Sequence, residues 1–181
     1  MTMKLALNHK DLLPFIEFLG KDHALVAPVE DSGRYIFRSL EDTADITTEY
    51  KQTPLPPVKF IYPDKEPILK FDLSDDKHAE SVIEAPSQAL LLLRPCDINA
   101  ISIMDEVLSE EPSDLNYIER RKNTLIVGFE CATPCRENAL CFDKGTHNAK
   151  SGFDIYLTEI NGKYFAEVNG EKGEKVAEAS G

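Results

Sequence analysis

Two short apolar runs constrain this chain more than anything else in it. Ala89-Leu90-Leu91-Leu92-Leu93 and Leu125-Ile126-Val127-Gly128-Phe129 show no polar alternation, as expected of strands buried on both faces rather than of strands with one wet face. Between them, Ile98, Ile101, Met104, Val107 and Leu108 recur at helical spacing, and that face is read as core. Asp97 stands where the N-cap of that helix is expected. A second short helix is expected within Ser113–Lys122, its Arg120-Arg121-Lys122 end suited to a helix C-terminus. Strand, helix and strand in this order, with a right-handed crossover, make the two strands parallel neighbours.

The rest of the chain is arranged around that unit. Residues 10 to 20 read as a helix with Leu12, Leu13, Phe15, Ile16, Phe18 and Leu19 on a wide apolar face. Ala24–Val29 and Arg34–Phe37, separated by Glu30-Asp31-Ser32-Gly33, read as a hairpin. Residues 41 to 53 are polar and weakly patterned. Five prolines between Pro54 and Pro67 predict an extended segment draped over the core rather than a central strand. A charged loop is expected at Asp72–Lys77. Beyond the core, Phe153–Thr158 and Lys163–Val168 form a second expected hairpin, whose turn contains Asn161-Gly162. Gly170–Gly181 is expected as a loose helix or disordered tail.

The fold class expected is therefore α/β: a small, mostly parallel sheet core with helices, a β-hairpin and an irregular N-terminal lobe. Its expected divisions are an N-terminal helix, hairpin and Pro-rich lobe at 1–80, an α/β core carrying the cysteines at 81–170, and a flexible tail at 171–181. A length of 181 residues suits one such domain with a small appended lobe. The net charge of −12 argues against unaided nucleic-acid binding, which needs a clustered basic face. Neither a signal peptide nor an apolar run of membrane-spanning length is expected, so the chain is read as cytoplasmic.

All four cysteines fall in one window, Cys96, Cys131, Cys135 and Cys141. Cys96 and Cys131 each follow an expected parallel strand, so both emerge at the carboxyl edge of the sheet, where open α/β folds place ligands. A helix beginning at Asp97 would favour the Cys96 thiolate. Convergent thiolates could hold an iron–sulfur cluster or a tetrahedral zinc ion. Free thiols and buried packing cysteines are the bland alternative, with a Cys135–Cys141 redox disulfide inside it. Spacing alone leaves these open.

Other signals are weaker. Arg94, beside Cys96, is read either as steering an anion or, by preference, as pairing with a neighbouring carboxylate. Gly145-Thr146-His147 is read either as touching a ligand or, by preference, as a loop with a solvated histidine. His9, His23 and His78 are scattered and make no metal pattern. No dinucleotide, phosphate-loop or nucleophile-elbow motif is present in the sequence.

Leu93-Arg94-Pro95-Cys96-Asp97, followed by Ala100-Ile101 and Asp105, by Arg120-Arg121 to Gly128, by Cys131 and by Gly152-Phe153-Asp154, resembles the beta-subunit family of sulfhydrogenases. The A subunit of anaerobic sulfite reductase falls in the same family. The resemblance takes in Leu55-Pro56-Pro57 with Lys59-Phe60 and runs to about Glu167. It implies a non-catalytic electron-transfer subunit rather than a stand-alone enzyme. Its implied partners are other subunits of a redox complex, ferredoxin-like or flavin-containing.

Members of that family usually continue into a ferredoxin-like domain with two four-iron clusters, so this chain is expected to be an N-terminal part or a shortened relative. Where members often carry Cys-Phe-Cys, this chain has Ala139-Leu140-Cys141. Cys96, Cys131 and Cys141 match that pattern, and Cys135 replaces the missing thiol. The resemblance thus implies an iron–sulfur cluster, with zinc as the alternative, on these four cysteines, with Arg94 and Asp97 shaping its surroundings.

Overall fold

A computed structural model describes residues 3–72 and 79–180 of the chain. Chain order is β1 (Met3–Asn8), α1 (Leu12–Leu19), β2 (Ala24–Asp31), β3 (Arg34–Ser39), β4 (Leu69–Phe71), β5 (Ala79–Ser81) and β6 (Gln88–Leu93). It continues with α2 (Pro95–Ser109), α3 (Leu115–Lys122), β7 (Thr124–Phe129), β8 (Ile155–Ile160), β9 (Lys163–Val168) and α4 (Gly170–Ser180). The expected loop at Asp72–Lys77, apart from Asp72, and His78 lie outside the described residues.

One seven-stranded sheet, ordered β1-β9-β8-β7-β6-β2-β3, forms the body, and β4 pairs with β5 in a separate two-stranded ribbon. The middle of the sheet is parallel: β2 with β6, β6 with β7 and β7 with β8. Both flanks are antiparallel. The fold class is thus α/β with a mostly parallel central sheet. Every residue of β6 and β7 is buried, which is why their sequences lack alternation. The expected hairpin at 24–37 is β2 and β3, closed by Ser32 and Gly33 at φ 52° and 76°. Its first strand joins the parallel set beside β6, so strands from both sides of residue 80 share one sheet.

Two apolar layers cover the sheet. On one face, Leu12, Phe15, Ile16 and Leu19 of α1 pack with Leu91, Leu125, Val127 and Leu157, joined by Val176 of α4. On the other, Ile98 and Ile101 of α2 and Tyr117 of α3 pack on Leu90, Leu93 and Ile126. The Pro-rich segment contributes Ile61 to this second layer and forms no strand up to Pro67. Val107, expected in the core, is exposed at 61 %, as is Ile103. The buried side of α2 is narrower than the apolar spacing predicts.

Three sequence expectations change in detail. Asp97 is not the N-cap of α2: Arg94 caps it and Pro95 occupies the first turn, the position where a missing N–H costs nothing. Arg120 and Arg121 do more than finish α3, since they pair with Glu66 and Asp105. The tail forms the regular helix α4, and Gly173 lets it approach the Asp154 carbonyl too closely for any Cβ.

Candidate functional site

β6 does not run straight into α2. Leu92 lies at φ 61°, and the pairing of β6 with β7 slips between Leu91 and Leu93. A buried leucine in the left-handed region is unusual enough to mark a shaped site. Tyr50, from the weakly patterned stretch 41–53, is fully buried and donates its hydroxyl to the Leu92 carbonyl at 2.7 Å. The bulge delivers Arg94 to the sheet edge beside Phe129 and Glu130, the end of β7 and its first following residue.

Arg94 is 9 % exposed. Its guanidinium donates to the carbonyls of Glu130 at 2.6 Å, Thr48 at 3.0 Å and Tyr50. It also lies over the Tyr50 and Phe129 rings, 4.5 and 5.1 Å from their centroids. The expected pairing with a carboxylate is therefore not made. Backbone oxygens and aromatic faces hold the side chain instead.

Cys96 follows two residues later, in the first turn of α2. Cys131, Cys135 and Cys141 lie on the irregular crossing from β7 to β8. All four line a single cavity of about 470 Å³, together with Tyr50, Lys51, Pro54, Pro56, Arg94, Asp97, Arg136, Lys144 and His147. Arg94, Cys131 and Cys135 also line an adjoining cavity of about 180 Å³. The structure therefore brings together every residue singled out in the cysteine window. Cys131 Sγ donates to the Thr133 carbonyl at 3.2 Å and Cys135 Sγ to the Lys51 carbonyl at 3.1 Å.

The cysteine-bearing crossing is tied down at its far end. The N–H groups of Thr146 and His147 both donate to the Cys141 carbonyl, at 2.8 and 3.2 Å. Asn99 on α2 donates to the carbonyls of Pro95 and Asn148, at 2.7 and 3.0 Å, bridging the helix start to the loop. His147 is not simply solvated: its ring stacks on Phe142 with centroids 4.1 Å apart, and its Nδ1 is buried without a partner. Lys51, Arg136 and Lys144 were not legible as site residues, because nothing in a coil sequence announces which side chains face a cavity.

Protonation runs against the expectation for Cys96. Desolvation first, then the Asp97 charge and the Cys135 and Cys131 thiols, pushes its pKa up to about 11. The helix start does not overcome this. Cys131 is also raised, by desolvation foremost, with Arg94 pulling the other way. Burial lifts Asp97 to about 6, against the opposing hydrogen bond and charge of Arg94.

Among the described residues, no three of His, Cys, Asp and Glu are gathered as a ready metal-ligand set. The donor chemistry nevertheless fits a thiolate-bound centre: four thiols, none in a disulfide, on one cavity wall beside a buried cation. Cys96 is anchored on α2. The other three sit on a segment without helix or strand.

No protein-family model matches the chain. No solved structure matches it. Sulfhydrogenase 2 subunit beta of Pyrococcus furiosus is 30 % identical to it over 167 residues, 91 % of this chain and 48 % of that protein. The chain spans about half the length of the curated relative that it matches. Over that shared half, the chain is related to the sulfhydrogenase beta subunit.

Proposed function

We infer that this chain is the electron-transfer part of a cytoplasmic oxidoreductase complex, hydrogenase- or sulfite-reductase-like, and not a stand-alone enzyme. One iron–sulfur cluster is held by Cys96, Cys131, Cys135 and Cys141. The observation that carries this reading is the convergence of all four cysteines on one cavity at the carboxyl edge of the parallel strands. The relationship to a sulfhydrogenase subunit supports it. The partners are the other subunits of the complex, ferredoxin-like or flavin-containing.

When bound, the cluster supplies one-electron transfer at thiolate-ligated iron. The chain's own part is binding and tuning. Cys96 gives a fixed ligand on α2, and the 130–154 crossing brings the other three. Binding must displace protons from thiols whose pKa values lie above the ordinary one, so assembly is favoured by rising pH. Tyr50 and the prolines 54 and 56 line part of the cavity wall. Arg94 and Asp97 contribute charge and hydrogen bonding next to the ligands.

A second reading is a docking domain, metal-free or zinc-bound, that positions redox subunits. The hydrogen bonds of the Cys131 and Cys135 thiols to the Thr133 and Lys51 carbonyls favour its metal-free form. Iron, zinc and acid-labile sulfide content, measured with a visible spectrum on anaerobically purified protein, separates the two. Iron and sulfide in near-equal amounts, lost in Cys131→Ser, is the result expected. Zinc without sulfide, or no metal in protein never exposed to air, would overturn the cluster.

A further inference from the structure

The cage around Arg94 holds a charge whose direct partners are all neutral. Its side chain is nine-tenths buried. Its partners are the Glu130, Thr48 and Tyr50 carbonyls and two aromatic faces, none of which carries a formal charge. Its Nε is buried with no hydrogen-bond partner at all. A guanidinium does not shed its proton at any ordinary pH. A buried cation with no hydrogen-bonded carboxylate is expensive, and proteins keep such charges where an anion repays them.

The cavity beside it is biased the same way. Lys51, Arg136 and Lys144 line the larger cavity along with Arg94, against the one carboxylate of Asp97. This is the reverse of the whole chain, which has 20 Lys and Arg against 32 Asp and Glu. Thiols fill the same wall, and they become anions on binding a metal.

We propose that Arg94 is the built-in counter-charge of a sulfur-ligated, net-anionic metal group in this cavity, and that it holds the reduction potential of that group up. The proposal rests on the cluster reading above. Adding one electron increases the negative charge beside a fixed cation, so the reduced form gains more from Arg94 than the oxidised form does. Arg94 is a positioning residue for charge, not a ligand. A purely structural role, tying the irregular Thr48–Tyr50 segment and Glu130 to the end of β6, would affect stability without moving a potential.

The test is a dithionite redox titration of anaerobically purified full chain, comparing wild type with Arg94→Lys and Arg94→Gln. Iron and sulfide content and circular dichroism are recorded on each. The expected result is that Arg94→Gln lowers the reduction equilibrium at least tenfold, a fall of 59 mV or more for a one-electron couple. Arg94→Lys stays within half of that shift. If Arg94→Gln loses iron while Arg94→Lys keeps it, the need for charge is shown in another way. Equal potentials in fully loaded wild type and Arg94→Gln would overturn the counter-charge and leave the cluster standing. Loss of iron from both variants would assign Arg94 a shape role and also overturn it. A wild-type protein without iron and sulfide would remove the cluster reading itself.

Discussion

Glu66 Oε2 accepts from Arg120 Nη2 at 2.6 Å, joining the Pro-rich segment to α3 across the covered face of the sheet. Arg120 also donates to the Ile61 carbonyl at 3.0 Å, and Asn116 to the same Glu66 oxygen at 3.2 Å. The side chains are 5 % and 15 % exposed. Desolvation would raise the Glu66 pKa, but the Arg120 and Asn116 hydrogen bonds and the Arg120 charge outweigh it, and the value lies below 4.5. A carboxylate depressed in the fold stabilises it above its unfolded pKa, and that contribution is lost as pH falls through the folded value. Glu66→Gln should therefore cost about 2 kcal/mol at pH 7, with the difference from wild type shrinking as pH falls through the depressed folded pKa. Urea melts at pH 7 and through an acid series check it; a deficit that stays constant until the carboxyl is fully protonated would refute the linkage.

Tyr50→Phe should destabilise more than the loss of one hydroxyl on a surface. The Leu92 carbonyl would keep its bulged position without a donor, at a cost of about 1–3 kcal/mol. Thermal unfolding of the metal-free protein measures this. A variant as stable as wild type would mean that water replaces the tyrosine at the bulge.

Gly173→Ala sets helix propensity against packing. Alanine in a helix gains roughly 1 kcal/mol over glycine, yet a Cβ here would land on the Asp154 carbonyl oxygen. That acceptor is backbone, fixed by the Asn169 N–H at 2.8 Å. Packing should win, with a net loss of about 1–3 kcal/mol and faster amide exchange confined mainly to α4. A rise in melting temperature would contradict the docking described.

Cys96 should alkylate slowly in metal-free protein although its side chain reaches solvent. With its pKa pushed up to about 11, little thiolate exists at pH 8. Iodoacetamide rates followed by mass spectrometry should still be rising at pH 10 for Cys96, and level earlier once the chain is unfolded. A plateau near pH 8 in the folded protein would refute the assigned environment.

The parallel centre of this fold was legible because burial on both faces erases alternation, and the Leu tract and Leu125–Phe129 carry that mark. Asn161-Gly162 gave away its hairpin for an equally local reason: both residues take positive φ in the tight turn. The carboxyl-edge placement of Cys96 and Cys131 followed from strand direction. What could not be read depends on partners far away in sequence. Arg120 looked like a helix-end cation because Glu66 stands 54 residues earlier. Tyr50 sat in a polar stretch, with its acceptor 42 residues on. The fate of Arg94 was misjudged because its acceptors are main-chain oxygens, which every sequence supplies and no sequence marks. β1 was missed because its partner β9 lies at the far end of the chain, with no local turn to announce the pairing.

The bulge at Leu92 changes the count of the strand. Leu90 packs on one face, Leu91 and Leu92 both on the other, and Leu93 returns to the first. A pleated strand alternates with period two, so this repeat of one face is a half-period slip. Because of it Leu93, not Leu92, stands level with Gly128. The five-residue apolar run is thus one residue longer than its partner requires, and the bulge absorbs the surplus. Paired residue for residue with β7, the same tract would set Leu92 level with Gly128 and turn every residue beyond it, the arginine and the first cysteine included, to the opposite side. Length, in this tract, is information that composition does not carry.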